Sequence, residues 1–341
     1  MSAPRLILGT RGSPLALAQT RLAHAALATA CPGHLISIQE VKTTGDQRQD
    51  LSLTHLAPGG HGYQAAGDAR PAERVDPGLF TKELETALLA GRIEVAVHSL
   101  KDLPTVLPPG LKLAAVLPRA ATADVLICKL ADGQTWPPPP AAGPLVQVPP
   151  GALIATSSLR RQRQLLHYRP DLRVSEIRGN VGTRLAKLRD RDDWTGIVLA
   201  RAGLERLGFG AAVAAGMIET ESGRFAVEVL GPEVMLPAVG QGAIGLQARA
   251  GDARTLAALA MVNDARTWAA VTAERELLAL LGGGCQLPLG VGTEIDAAGE
   301  TLRLRAVLFG LDDAPPRFAE ANGSLRDIGD VAAKCASALR P

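Results

Sequence analysis

Short apolar runs alternate with longer stretches of helical period, and this alternation occurs twice along the chain. In the first block, residues 6–9 form an apolar run and residues 14–30 are rich in Ala and Leu. Residues 35–42 then alternate like a strand, 79–90 read as a helix and 93–99 as a buried strand. In the second block, strands are expected at 125–128, 153–155, 172–177 and 196–200, with helices at 159–167, 181–189 and 203–207. A βαβαβ order leaves few choices, because each helix must cover a face of a sheet with parallel strands. The two blocks therefore predict two α/β lobes with mainly parallel mixed sheets. Beyond them lie a strand signal at 239–248 and helices at 256–259 and 267–281. Strands at 290–293 and 302–309 and a helix at 328–339 then predict a small C-terminal α+β domain.

The length of 341 residues suits two or three domains. Charged residues make up 21% and the formal net charge is only +2, so charge alone does not argue for nucleic acid. Aromatics at 3% leave few platforms for stacking bases. Arg5, Arg11 and Arg21 interrupt any apolar core of an export signal, and no apolar run reaches the roughly 18 residues of a membrane span. Cys31, Cys128, Cys285 and Cys335 are widely spaced, which fits a reducing cytoplasm better than a disulfide framework. The six histidines have no metal-ligand spacing, so no metal is expected. Two segments stand apart: a Gly/Ala/Pro-rich loop at about 54–78, and a Pro-rich excursion at 136–150 with four consecutive prolines, to which no function is assigned.

Chemistry concentrates where strands hand over to helices. Helix N-termini offer unpaired N–H groups and partial positive charge, and parallel strands bring these ends to one edge. Three successive junctions of the second block carry Thr156, Ser157, Ser158, Arg160 and Arg161; then Arg178 and Arg184; then Gly203 and Arg206. Guanidinium forks, hydroxyls and close-approaching backbone suit carboxylate or phosphate, and the spacing does not separate the two. The first block contributes Arg11 and Ser13, with Pro14 after Ser13 in the pattern of a helix cap. It also contributes Ser99, Lys101 and Asp102 where a strand ends before Pro104. Finally, Gly282, Gly283 and Gly284 put Cys285 on an open turn, which favours a reactive thiol over a buried one.

The run Val97-His98-Ser99-Leu100-Lys101-Asp102-Leu103-Pro104 is similar to the catalytic segment of the porphobilinogen deaminases (hydroxymethylbilane synthases). The segments 156–161, 178–185 and 237–242, the last containing Gln241, resemble further signatures of that family, and 282–288 resembles its cofactor-attachment turn. The motifs occur in the family's order over nearly the whole chain. The resemblance implies two lobes of the type II periplasmic-binding-protein kind with a cleft between them. It assigns 1–119 and 242–262 to domain 1, 123–236 to domain 2 and 264–341 to domain 3. It also implies a dipyrromethane cofactor held by a thioether to Cys285. Porphobilinogen units would be added to this primer with loss of ammonia, to give hydroxymethylbilane for tetrapyrrole (haem or chlorophyll-type) biosynthesis. By the same resemblance Asp102 is the catalytic carboxylate. Arg11, Ser13, Ser99, Lys101, Thr156, Ser157, Ser158, Arg160, Arg161, Arg178, Arg184, Gly203, Arg206 and Gln241 are its substrate- or cofactor-binding positions. The expected enzyme is a cytoplasmic monomer acting on a small molecule, with neither nucleic acid nor membrane as partner.

One departure from the family stands out: no lysine lies between Lys42 and Lys82, where its members usually carry them before the Gly78-Leu79-Phe80 segment. The loop 54–78 would then be a lid whose cationic contacts come from Arg48, Arg70 or Arg74. Three rival readings share the fold. A solute-binding protein should carry an export signal and needs no reactive thiol. A ligand-sensing regulator needs a DNA-binding helix-turn-helix, for which no segment remains. A catalytically dead relative would not need both Asp102 and Cys285.

Overall fold

The computed structural model describes residues 4–43, 81–130, 144–284, 287–310 and 314–340. The expected lid at 54–78, Arg48, Arg70, Arg74 and Cys285 lie outside the described residues, as does the first part of the Pro-rich excursion.

The first lobe begins with β1 (Arg5–Thr10), α1 (Pro14–Ala30) and β2 (Leu35–Glu40). Ser13 caps α1, accepting from the Ala16 N–H at 3.3 Å, and Pro14 occupies a first-turn position where no N–H is needed. Next come α2 (Lys82–Leu89), β3 (Val95–Ser99) and β4 (Leu111–Val116). The sheet is completed by β11 (Ile244–Arg249), which returns from far along the chain, and its order is β2-β1-β3-β11-β4. β1 pairs in parallel with β2 and β3, whereas β11 runs antiparallel to both β3 and β4. Val95 and Val97 face the α1 side with Ala23 and Leu27, and Ala96 faces α2 with Leu84 and Leu88.

The second lobe contains β5 (Asp124–Lys129), β6 (Leu153–Ala155), α3 (Leu159–Tyr168), β7 (Arg173–Ser175), α4 (Val181–Asp190) and β8 (Gly196–Ala200). It continues with α5 (Arg201–Leu204), α6 (Gly210–Ala214), β9 (Met217–Thr220) and β10 (Gly223–Leu230). Its order is β7-β6-β8-β5-β10-β9. Only β6–β7 and β6–β8 pair in parallel; β5–β8, β5–β10 and β9–β10 are antiparallel. The sheets are mixed, as expected, but the parallel share is smaller than the sequence suggested. The reason is that β5 and β11 enter from the crossovers between lobes, and β9–β10 is a hairpin with no helix between its strands.

The third sheet is an antiparallel meander of β12 (Leu289–Ile295), β13 (Thr301–Leu308) and β14 (Arg317–Ser324). The helices α8 (Ala265–Leu280) and α9 (Ile328–Leu339) pack on it through Leu277, Val331, Cys335 and Leu339 against Val291, Leu302 and Leu304. A shorter helix, α7 (Ala253–Ala260), joins the first lobe through Leu259.

Two expectations are corrected. The strand expected at 239–248 begins only at Ile244, because 239–243 turn to form the crossover between lobes. The helix expected at 203–207 starts at Arg201 and widens into a π-type turn over Glu205–Phe209, kinked within at Gly208 with φ +92°. The two crossovers touch. Gly242 has φ +84°, and a Cβ there would stand 2.5 Å from the Ala120 carbonyl oxygen, so only glycine fits.

Candidate active site

β3 ends at Ser99, and a single 3-10 turn, Leu100–Asp102, carries the chain into the crevice between the lobes. The turn is anchored on both sides. The Leu100 N–H donates to the Ala243 carbonyl at 3.0 Å. Downstream, the Arg275 guanidinium of α8 donates to the carbonyls of Leu103 and Pro104 at 3.0 and 2.7 Å. Asp102 is exposed at the tip of the turn, and Lys101 beside it is half-buried. Burial, then repulsion from Arg161, pulls the Lys101 pKa down to about 8, against the attraction of Asp102 and Asp124. Arg184 lies opposite, on α4. Burial, then Arg161, lowers its pKa to about 10, while Asp102 favours its charge and Arg178 opposes it. Asp102, Lys101, Arg161, Arg178 and Arg184 thus stand close enough to act on one another's charge.

The arginines at the junctions differ in what they touch. Arg160 and Arg161 are buried and converge on Asp124, the first residue of β5. Arg160 Nη1 lies 2.8 Å from Asp124 Oδ2 and 2.7 Å from the Leu236 carbonyl. Arg161 donates to Asp124 Oδ1 at 2.7 and 3.1 Å and to the Val198 carbonyl at 2.9 Å. Burial alone would raise the Asp124 pKa, but the two guanidiniums outweigh it and hold the carboxyl far below its usual range. Arg184 Nε donates to the Gly179 carbonyl at 2.8 Å, closing the loop ahead of α4. Arg178 stands 3.7 Å from Glu176, and its Nη2 is buried with no hydrogen-bond partner among the described residues. Arg206 reaches back to the first-lobe crossover, donating to the Gly242 carbonyl at 2.6 Å, and burial lowers its pKa against the pull of Glu205.

The hydroxyls are less available. Ser157 is committed to Ile177, donating to its carbonyl at 2.7 Å and accepting from its N–H at 3.0 Å, which ties two junctions together. Thr156 is buried, and its Oγ1 meets the Ser158 N–H at 3.4 Å. Ser158 occupies the N-cap position of α3 without a side-chain cap bond. Ser99 meets the Gln19 amide at 2.8 and 3.0 Å. Gly203 is buried where a Cβ would stand 3.7 Å from Leu15 of α1, between the lobes. Arg11 stands near enough to His98 for its charge to oppose protonation of the imidazole.

Gln241 is buried at the crossover. Its Nε2 donates to the Thr122 carbonyl at 2.7 Å and to Asp124 at 2.9 Å. The Gln241 backbone carbonyl accepts from Arg119 Nε at 2.9 Å. Arg119 in turn grips Glu274 of α8 at 2.7 and 2.9 Å, and Glu274 also takes the Gly240 N–H at 2.7 Å. One hydrogen-bonded network thus runs from the third sheet's helix through both crossovers to the arginines of the crevice. Asp124, Arg119, Glu274 and Gln19 were not singled out from the sequence. The available signal for Asp124 was an acidic residue directly abutting the apolar run Val125–Cys128.

A family model described as "Porphobilinogen deaminase, dipyromethane cofactor binding domain" matches residues 6–257. A second, "Porphobilinogen deaminase, C-terminal domain", matches residues 268–340. A protein named "Porphobilinogen deaminase" from Roseiflexus sp. (strain RS-1) is 40% identical over 324 residues, 95% of this chain and 92% of that one. Proteins of the same name from Syntrophotalea carbinolica and Moorella thermoacetica are each 42% identical, covering 92% and 94% of this chain and 85% and 88% of their own. Among solved structures, the methionine binding protein MetQ superposes with a TM-score of 0.40 at 10% identity over 79% of this chain and 94% of that one, too loosely to add to the argument.

Proposed function

The chain belongs to the porphobilinogen deaminase family, and from that premise we propose which of its residues carry the reaction. The enzyme is a hydroxymethylbilane synthase of tetrapyrrole biosynthesis: it polymerises porphobilinogen, releasing ammonia, and uses a dipyrromethane cofactor. Each pyrrole of substrate and primer carries an acetate and a propionate, so whatever binds here is a polyanion.

The observation that carries the assignment is the imbalance of charge in the crevice. Lys101, Arg160, Arg161, Arg178 and Arg184 face Asp102, Asp124 and Glu176 among the described residues, and the buried Arg178 Nη2 lacks an acceptor. A crevice with more cations than carboxylates fits a ligand that brings carboxylates. In this reading Arg178, Arg184 and Lys101 hold the carboxylates directly, with Arg11, Ser13 and Ser99 on the first-lobe side. Arg160 and Arg161, fixed by Asp124, supply charge from behind. Thr156, Ser157 and Ser158 shape the turn that opens α3, with the Thr156 N–H committed to the Ser175 carbonyl at 2.7 Å, and Gly203, Arg206 and Gln241 keep the lobes in register.

Dipyrromethane supplies, when bound, the pyrrole carbon to which the first substrate is joined, and we assign its attachment to Cys285. Asp102 accepts a hydrogen bond from the substrate pyrrole N–H. As the aminomethyl C–N bond breaks, its electron pair leaves with ammonia, and positive charge spreads into the ring. The Asp102 carboxylate faces that charge and stabilises it more than it does the neutral ring. Where the new carbon–carbon bond would form, the attacked ring carbon gives up its hydrogen as a proton, and the Asp102 carboxylate is the group placed to take it.

The division into 1–119 with 242–262, 123–236, and 264–341 is supported by the three sheets, each built from strands of one such group. No helix among the described residues is long and apolar enough to cross a membrane. With a net charge of +2 and cations gathered in one crevice, action on small acidic pyrroles as a cytoplasmic monomer, without nucleic acid, is the fitting arrangement. The lid role of 54–78 remains a proposal on sequence grounds alone. Intact-protein mass spectrometry tests the core of the assignment: freshly made enzyme should carry an adduct of two pyrrole units, and Cys285→Ala should lack it. An unmodified mass in active wild-type protein would overturn the attachment.

A further inference from the structure

The assignments above use Ser99 and the turn beyond it, but the strand carrying that turn is gripped from both faces. On the α1 face Ser99 is held by Gln19. On the α2 face stands His98, 5% exposed, with Nε2 2.9 Å from Gln247 Oε1. Gln247 lies on β11, fully buried, and the other end of its amide is already committed: Nε2 donates to Glu85 Oε1 of α2 at 3.0 Å. A carboxylate oxygen accepts, so it takes the N–H end of the amide. The amide carbonyl must then face the imidazole, and His98 Nε2 must carry the hydrogen. Burial keeps the ring neutral, lowering its pKa to about 4 against the Gln247 bond, and the Arg11 charge acts in the same direction as burial.

We propose that His98 is a positioning residue for the reaction: as the Nε2–H tautomer, bonded through Gln247 to Glu85, it locks the exit of β3 and so fixes where Asp102 stands in the crevice. The connection is short. Only Ser99, Leu100 and Lys101 separate the two residues, and Leu100 is itself bonded to Ala243 of the crossover. The α1 clamp holds one face of the strand, and without the α2 clamp the strand end can tilt about it. The inference rests on Asp102 being the catalytic carboxylate.

The test compares primer-loaded wild type with His98→Gln and His98→Leu. Glutamine can place an N–H where the imidazole had one; leucine fills space without a donor. Arg178 and Arg184, assigned above to the carboxylates, sit on the other lobe and are not moved, whereas Lys101 shifts together with Asp102. For His98→Leu, kcat should therefore fall about tenfold or more, well beyond the rise in KM that comes from Lys101 moving with the turn, since misplacing a reacting group by ~1 Å is costly. His98→Gln should recover most of the lost kcat. If His98 merely stabilises the fold, the melting temperature will drop while kcat per folded site is unchanged, and that outcome overturns the proposal. Should His98→Leu not fold, ¹H–¹⁵N spectra of histidine-labelled enzyme decide the matter. The signal lost in His98→Gln must show the Nε2–H tautomer and must not titrate between about pH 6 and 8. An Nδ1–H signal, or titration in that range, sinks the inference. Normal turnover of Asp102→Asn would instead sink the role of Asp102 while leaving the tautomer intact, so the two failures are distinguishable.

Discussion

At Asp124, two arginines that the sequence motifs assign to substrate meet a carboxylate of the protein's own. Burying one carboxylate among two guanidiniums and an amide leaves net positive charge next to the crevice, and this adds to the larger effect of burial in lowering the Lys101 pKa to about 8. Free lysine titrates higher, so between about pH 8 and 10.5 the unfolded chain holds more protons than the folded one. The Lys101 contribution to stability therefore rises with pH across that window, and below it the burial penalty is felt in full. A carboxylate ligand reverses the effect by favouring the ammonium. In primer-free Cys285→Ala protein, binding of an acidic pyrrole should take up protons near pH 8–9, measurable by calorimetry in buffers of different ionisation enthalpy. Replacing Lys101 with Met should abolish that uptake, and uptake of the same size in the variant would remove Lys101 from the site. Asp102→Asn keeps the shape of the turn but removes the charge. Turnover should fall by about a hundredfold or more while the two-pyrrole adduct remains, as single-turnover kinetics and mass spectrometry would report.

Helix α4 is where one element serves both folding and binding. Asn180 caps it, accepting from the Thr183 N–H at 2.9 Å, and the cap sits between Arg178 and Arg184, which flank the crevice. Asn180→Ala should lower stability by about 1 kcal/mol in urea titrations, and should raise KM because the loop bearing Arg178 loses its anchor. A stability loss with unchanged KM would separate the cap from the site. Elements without such local signals were harder to read. The strands β4, β9, β10 and β14 were not expected. β14, Arg-Phe-Ala-Glu-Ala-Asn-Gly-Ser, exists because β13 pairs with it along its whole length, and its own residues have modest strand preference.

For the molecule as a whole, the Arg119–Glu274 pair joins the helix of the third domain to both crossovers. Glu274 is fully buried and accepts from Arg119, Gly240 and Thr293. Removing its charge leaves the largely buried Arg119 guanidinium without a countercharge. Glu274→Gln should cost about 3–5 kcal/mol of unfolding free energy, read from denaturant titration followed by circular dichroism. A loss below about 1 kcal/mol would mean that the crossovers are held by packing alone.

What the sequence determined by itself was local: strand and helix periodicity, the cap at Ser13, and the strand-to-helix junctions where anion-binding residues collect. Local signals suffice there because a cap or an amphipathic face is specified within one or two turns of chain. The tertiary structure alone decided which strands became neighbours, and so the antiparallel insertion of β11. It also decided that Arg160 and Arg161 are both committed to the carboxylate of Asp124, 37 residues before Arg161, and that Gln241 closes on the same group from 117 residues away. Such partners cannot be read from spacing, because a charge's neighbours in a packed interior are set by the route of the chain rather than by its order.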